Sequence, residues 1–344
     1  MKQFFTVKIR MLYHNIGVKE IHRQKATPLA QPIQARLDAL QKTLNLRAKS
    51  LIVTLLGDAI EAHGGALWLG NLIDLAAPFG VNDRLVRTSV LRLSREGWLG
   101  ARQIGRRSYY ELTTIGRQRI RDSERRIYAA PNRNWDGRWR LVLTGQGEIG
   151  DAARARLRRE LRWLGFGVLG TNVFAHPRLD VEALRNMLDG LGLRDEVVVM
   201  QGQAEAPTGF EPTHDLLARA FDLRDLERAY ADFVQRFTHF EDETTASAAP
   251  TAAYRLRTLM SHEFRRVRLR DPALPDELLP KRWIGGRAWT LARDLYEMLL
   301  APSDAHLRAV AATVAGPLPA PRSTYYERFG GIRPRNGSGV TAAV

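Results

Sequence analysis

Arg84, Arg87 and Thr88 fall at i, i+3 and i+4, so a helix would carry them on one face. A little further on, Arg106 and Arg107 sit at the tip of a short polar stretch bearing Gly100 and Gly105. A guanidinium presents a planar fork of donors that matches the two acceptor atoms of a guanine edge. It matches two phosphate oxygens equally well, and a threonine hydroxyl can bond a base edge or a phosphate. These residue types at this spacing point to recognition of a polyanion, not to bond breaking. Arg92 and Arg95 come later on the same helical pattern and suit phosphate contacts or salt bridges. Beside the arginine pair, Tyr109 and Tyr110 alternate. One packs inward on Trp98 and the other reaches the nucleic-acid backbone; Tyr109 is counted with the contact residues.

A second set combines cations with indoles. Arg265, Arg266, Arg268 and Arg270 precede Trp283 and Trp289, with Pro272, Pro275 and Pro280 between them. Dense arginines suit the phosphates of a coenzyme A ester, and tryptophans suit an aryl group. The same residues also describe a rigid proline connection between two helices whose tryptophans belong to the core. Catalytic chemistry has little to stand on. There are no cysteines, which excludes disulfides, thiolate metal sites and cysteine nucleophiles. The eight histidines show no metal-ligand spacing, and His262-Glu263 lacks the second histidine of a zinc-protease helix. His176-Pro177 reads as a strand end. Gly-x-Gly occurs at Gly145–Gly147 and Gly165–Gly167, but no nucleophile elbow or phosphate-binding loop accompanies it. No metal, no cofactor and no enzyme activity are expected.

The elements that must hold the first set can be read from periodicity. Arg47 to His63 reads as a helix closed by Gly64-Gly65, and Leu67 to Ala76 as a second, shorter one. Asn82 is placed to cap a third, with Asp83 in its first turn and Val86, Val90 and Leu93 as its apolar stripe. Off that stripe lie Asp83, Arg84, Arg87, Thr88, Leu91 and Arg92. Two short strands around Gly105 form a hairpin, and a helix follows from Thr114 to about Ala129. Three helices and a basic hairpin make a winged helix-turn-helix, whose third helix enters the major groove of duplex DNA. Charge agrees: residues 1–130 hold 22 Lys and Arg against 10 Asp and Glu, whereas residues 131–344 hold 30 against 27.

The chain of 344 residues divides into five parts. Residues 1–43 form an extension unlike the body, carrying five of the seven lysines. Residues 44–131 form the winged helix-turn-helix. Residues 132–205 read β-α-β-α-β, a small ferredoxin-like α+β domain with a strongly basic helix at Asp151–Leu164. Residues 206–315 read as a helical C-terminal domain able to bind an effector, with its last helix over Arg287–Leu299. Residues 316–344 read as a loose tail. The fold class is therefore α+β and multidomain. No segment approaches a membrane span, and the first ten residues lack a signal-peptide pattern, so a cytoplasmic protein is expected.

Several stretches, taken in order, resemble the PaaX family of phenylacetic-acid-degradation repressors. They are Ser50-Leu51-Ile52-Val53-Thr54-Leu55-Leu56-Gly57-Asp58, then Val86-Arg87-Thr88 with Leu93-Ser94-Arg95-Glu96-Gly97-Trp98-Leu99, then Gly105-Arg106-Arg107-Ser108-Tyr109-Tyr110. Trp135-Asp136-Gly137-Arg138-Trp139 and Leu164-Gly165-Phe166-Gly167 continue it, as do Arg265-Arg266, Asp271-Pro272-Ala273-Leu274-Pro275 and Leu278-Leu279-Pro280 before Trp283. The resemblance covers residues 48–300. It departs at Thr144-Gly145-Gln146-Gly147-Glu148, where members carry Asp and then Pro-Glu, and at Ile284-Gly285, where they carry Pro-Gly. The middle part also resembles the ferredoxin-like CRISPR-associated endoribonucleases, but Gly145 stands where their acidic metal ligand would be. The resemblance implies a homodimeric repressor of an aromatic-acid catabolic operon. Its partners would be double-stranded operator DNA and an aryl-CoA (acyl-CoA) thioester, such as phenylacetyl-CoA, that releases it. The alternative is an enzyme acting on nucleic acid or CoA thioesters, with the winged helix as a targeting module. A third reading is an architectural protein without an effector.

Overall fold

The computed structural model describes residues 32–131, 134–145, 149–178, 181–203 and 214–333. Residues 1–31 of the N-terminal extension, residues 132–133, 146–148 and 179–180, the linker 204–213 and residues 334–344 lie outside the described residues.

The first domain begins with α2 (Ala48–Thr54), which continues through a π turn at Leu55–Ile60 and a 3-10 turn at Glu61–His63. Strand β1 (Ala66–Trp68), unforeseen in the periodicity, precedes α3 (Leu69–Ala76). Helix α4 spans Asp83–Arg95 and buries Val86, Ser89, Val90 and Leu93. Asn82 caps it, its side-chain oxygen accepting from Leu85 N at 3.0 Å. Strands β2 (Leu99–Ile104) and β3 (Arg107–Leu112) form an antiparallel hairpin, and β1 joins on the far side of β3 to give the order β1-β3-β2. Helix α5 (Thr114–Tyr128) then leaves the sheet. Gly116 lets α5 touch the Trp98 carbonyl, a place where any Cβ would collide with backbone.

The middle domain runs β4 (Trp139–Thr144), α6 (Asp151–Trp163), β5 (Gly167–Gly170), β6 (Val173–His176), α7 (Val181–Leu191) and β7 (Val197–Gly202). All pairings are antiparallel, in the order β5-β6-β4-β7. This is the βαββαβ plan of a ferredoxin-like unit. The stretch from Gly165 to Ala175, read as strand and turn, holds two strands of a hairpin. Val142, Leu157, Leu161, Phe174, Leu184 and Leu188 form this domain's own core.

The remainder is helical: α8 (His214–Ala220), α9 (Leu223–Phe237), α10 (Glu243–Ala246), α11 (Pro250–Arg268) and α12 (Gly285–Val310). The stretch 215–240, read as one helix, breaks at Asp222, whose φ is 52°. Helix α12 runs past Leu299 and through Pro302. One proline removes a single backbone bond, and burial of Leu299, Leu300, Ser303, Asp304 and Leu307 keeps the helix continuous.

Both ends differ from expectation. Helix α1 (Ile33–Thr43) belongs to the body: Leu37 and Leu40 are buried, and Arg36 pairs with Asp242 at 2.8 Å and donates to His239 O. Residues 316–333 are equally built in. After the small hairpin β8 (Ala312–Thr313) and β9 (Gly316–Pro317), helical turns over Ser323–Gly330 bury Tyr325, Arg328 and Phe329. Proline, glycine and arginine there shape a packed strap, not a loose tail. The large core is continuous from α1 and the first domain through α9, α11 and α12 to Ile332.

Candidate nucleic-acid interface and ligand cleft

Capping at Asn82 and burial of the Val86–Val90–Leu93 stripe leave Arg84, Arg87, Thr88, Leu91, Arg92 and Arg95 exposed on α4. Arg87 Nε lies 2.6 Å from Asp83 Oδ1, and Thr88 Oγ1 donates to Arg84 O at 2.8 Å. Arg106 and Arg107 are exposed at the hairpin tip. Arg87, Arg106 and Arg107 line one groove of about 370 Å³ together with Trp68, Asn71, Asp74, Ser108 and Ala312. The Arg107 guanidinium stacks over Trp68 at 5.5 Å, and Arg102 over Tyr109 at 5.6 Å. The groove therefore brings one of the expected helix cations, Arg87, together with the hairpin pair Arg106 and Arg107; Arg84 and Arg92 do not line it.

Tyr109 is placed otherwise. It is 5% exposed, edge-on to Trp68 at 5.2 Å and opposite Trp68 in the β1–β3 pairing. Its ring supports the hairpin from below, so the contact reading for Tyr109 is corrected. Its partner is Trp68 and not Trp98, because β1 fills the position beside β3.

The second expected cluster is divided. Arg268, Trp283 and Trp289 line a cleft of about 560 Å³ with Ala130, Pro131, Asp271, Lys281, Gly285, Gly286 and Arg293. Arg265 and Arg266 do not reach it. Arg265 lines a small cavity with Thr54, Trp98 and Tyr128, and its Nη1 is 3.5 Å from Thr54 Oγ1. Arg266 pairs with Glu263 at 2.8 Å. Arg268 is committed to structure: it donates to Ile127 O and Ala129 O and pairs with Asp271 at 3.0 Å. The cations that line the cleft beside these are Lys281 and Arg293, the latter 5.3 Å over the Trp289 ring. Trp289 Nε1 itself is buried and has no hydrogen-bond partner. The amino end of α12, at Gly285-Gly286, faces the same space and carries no side-chain cap.

A buried charge network escaped the sequence reading altogether. Asp58, in the π turn of the first domain, meets Arg257 of α11 at 3.2 Å and Arg328 at 3.4 Å. It accepts from Tyr128 Oη at 2.6 Å and Tyr296 Oη at 3.0 Å. Arg257 also pairs with Asp304 at 2.7 Å. Burial alone would raise the Asp58 carboxyl, but the two guanidinium groups and two hydroxyls outweigh it and hold it below its ordinary value. Burial dominates at His262, beside Thr54, and at His176; both are held down to about 4, so both are neutral at pH 7. Both histidines are packed into the interior. Among the described residues no group of three His, Cys, Asp or Glu is placed to hold a metal. Gly145 directly follows β4. No helix among the described residues is long and apolar enough to cross a membrane.

These observations define a mixed α+β protein of three joined parts, with a cation-lined groove on the first and a helical C-terminal region. Three family models match in order: "PaaX-like protein" over residues 47–116, "PaaX protein central Cas2-like domain" over 132–215 and "PaaX-like protein C-terminal domain" over 221–309. The chain is 34% identical over 286 residues to the transcriptional repressor PaaX of Escherichia coli (strain K12), covering 82% of this chain and 90% of that one. It belongs to the PaaX family. Among solved structures, the uncharacterized protein Rv0674 from Mycobacterium tuberculosis superposes with a TM-score of 0.48 and 22% identity, over 73% of this chain and 96% of that chain.

Proposed function

We propose that the protein is a DNA-binding transcriptional repressor, and that residues 44–131 read duplex DNA as a winged helix-turn-helix. The observation that carries this is the groove that Arg87 of α4 shares with Arg106 and Arg107 of the adjoining hairpin, with Arg84 and Thr88 exposed on the same helix. Helix α4 is the groove-reading helix, and the hairpin is the wing along the backbone. Arg92 adds a phosphate contact further along α4. Kinship with a transcriptional repressor supports the regulatory role. The protein acts as a cytoplasmic homodimer on paired half-sites, and it governs an aromatic-acid catabolic operon.

The effector is an aryl-CoA thioester, bound in the cleft between Ala130-Pro131 and the start of α12. Trp283 and Trp289 offer the aryl group two indole surfaces. Lys281, Arg293 and the free amide groups of Gly285-Gly286 favour the anionic end. Arg265 and Arg266 fall outside this site. Because Ala130 and Pro131 join the first domain to the second, an occupant there bears on how the reading domain is held.

A thermal-shift panel of aryl- and acyl-CoA esters tests the reading. One aryl-CoA is expected to raise the melting temperature and, in a titration, to release a duplex that the protein otherwise holds. No shift with any ester removes the effector and leaves an architectural protein. Cleavage of single-stranded RNA or duplex DNA that EDTA abolishes would replace the repressor with a nuclease.

A further inference from the structure

The segment that follows α12 is bonded to the first domain along its length. Asn71, on α3, donates through Nδ2 to Val310 O at 2.8 Å and accepts through Oδ1 from Ala312 N at 3.1 Å. Trp68 Nε1 donates to Thr313 O at 3.3 Å. His63 Nδ1 lies 2.7 Å from Pro319 O, and Arg322 N donates to Ala62 O at 3.0 Å. Arg328 then enters the interior. It donates to Asp58 O at 2.8 Å, to Gly57 O at 3.3 Å and to Tyr296 Oη at 2.5 Å, and it pairs with Glu124. Gly57 and Asp58 belong to the π turn, where the α-helical ladder is interrupted and carbonyls are free to turn toward other donors. This whole segment lies beyond residue 309, where the last family match ends.

The two parts share a close-packed core and are also tied by the bonds of Asp58 with Arg257 and Tyr296. The bonds of Asn71 and Arg328 are directional. They grip the first domain at two separate elements, α3 and the π turn of α2, and two grips set an orientation. Ala312, held by Asn71, lines the groove that contains Arg87, Arg106 and Arg107.

We propose that Asn71 and Arg328 are positioning residues for DNA reading: through them residues 310–330 fix the angle at which α4 and the β2–β3 hairpin are presented. This rests on the DNA-reading function proposed above. Asn71 lines the same groove, but both its amide atoms are taken by Val310 and Ala312, and Arg328 is buried; each acts by holding the domain that carries the contact set.

The test uses the full chain and duplexes that it selects from a randomised pool. Asn71→Ala and Arg328→Lys are then put through the same selection; the lysine keeps the charge but loses the fork that spans two carbonyls. Both variants are expected to recover the same half-site bases with a blurred or altered spacing between half-sites. Affinity for the wild-type duplex is expected to fall about tenfold for Asn71→Ala, with circular dichroism unchanged at room temperature. Wild-type spacing with affinity held within about twofold would overturn the inference. So would loss of the base preference itself, which would mean that the reading helix had been damaged and not redirected. Wild-type protein selecting unpaired sites would sink this inference and the paired half-site arrangement, and would leave DNA reading itself standing. Wild-type protein selecting no duplex would overturn the DNA-reading function and this inference with it.

Discussion

Arg87 shows how a single side chain is prepared for its task. Its exposed ion pair with Asp83, one turn earlier on α4, adds little to stability. It does aim the guanidinium along the exposed face, from which a guanine edge can take over. Arg87→Ala is expected to weaken operator binding by about 1–3 kcal/mol and to relax discrimination at one base position. Arg106→Ala is expected to weaken binding evenly across sequences and lower the salt slope by about 1. A fluorescence titration across salt concentrations checks both, and two variants that bind like the parent would displace the assignment. The face of α4 was legible in the sequence because a 3.6-residue period separates Val86, Val90 and Leu93 from the residues between them. The two tyrosines were not resolved in the same way. Strand alternation says that Tyr109 and Tyr110 point apart, but only β1, a three-residue strand with no periodicity to show, decides that Tyr109 goes under. Asp58 was invisible for another reason: its partners Arg257 and Arg328 stand 199 and 270 residues away.

Elements were legible where local chemistry decides them. Asn82, Asp83 and Gly97 bound α4, and the Asn82 cap is formed as the sequence indicates. Asn82→Ala is expected to cost about 1 kcal/mol in denaturant unfolding, and Asn82→Gly only a few tenths. Equal losses for the two would mean that the cap contributes nothing. Elements were misread where tertiary burial overrides local preference. Pro302 predicts a helix end, yet α12 passes through it because residues on both sides are buried. The βαββαβ order of the middle domain was partly hidden because β5 and β6 are four residues each, with only Thr171-Asn172 between them. Residues 316–333 read as loose because proline and glycine mark irregular backbone, and irregular backbone can still be buried when side chains such as Arg328 satisfy what it meets.

At the scale of the whole molecule, the charge network joins the first domain to the C-terminal region. Asp58 and Glu124 come from the first, Arg257, Tyr296 and Asp304 from α11 and α12, and Arg328 from the terminal strap. Buried pairs contribute little net stability, but removing one partner strands the other in a low dielectric. Arg257→Met leaves Asp58 short of a cation and Asp304 unpaired by it, and is expected to destabilise the chain by about 3–5 kcal/mol in chemical denaturation. A loss below about 1 kcal/mol would show that water or Arg328 replaces it.

Helix α12 has its first turn at the proposed effector cleft and its last residue, Val310, in the grip of Asn71. Its 26 residues make a rod of about 39 Å at 1.5 Å per residue. A tilt of about 5° at Gly285 would carry Val310 by roughly 3 Å, on the order of the 3.4 Å rise of one base pair. A molecule wedged between the tryptophans thus need not push the reading head at all. A few degrees of lean, multiplied by the length of one continuous helix, would move the end to which the first domain is bonded by a distance comparable to one base step.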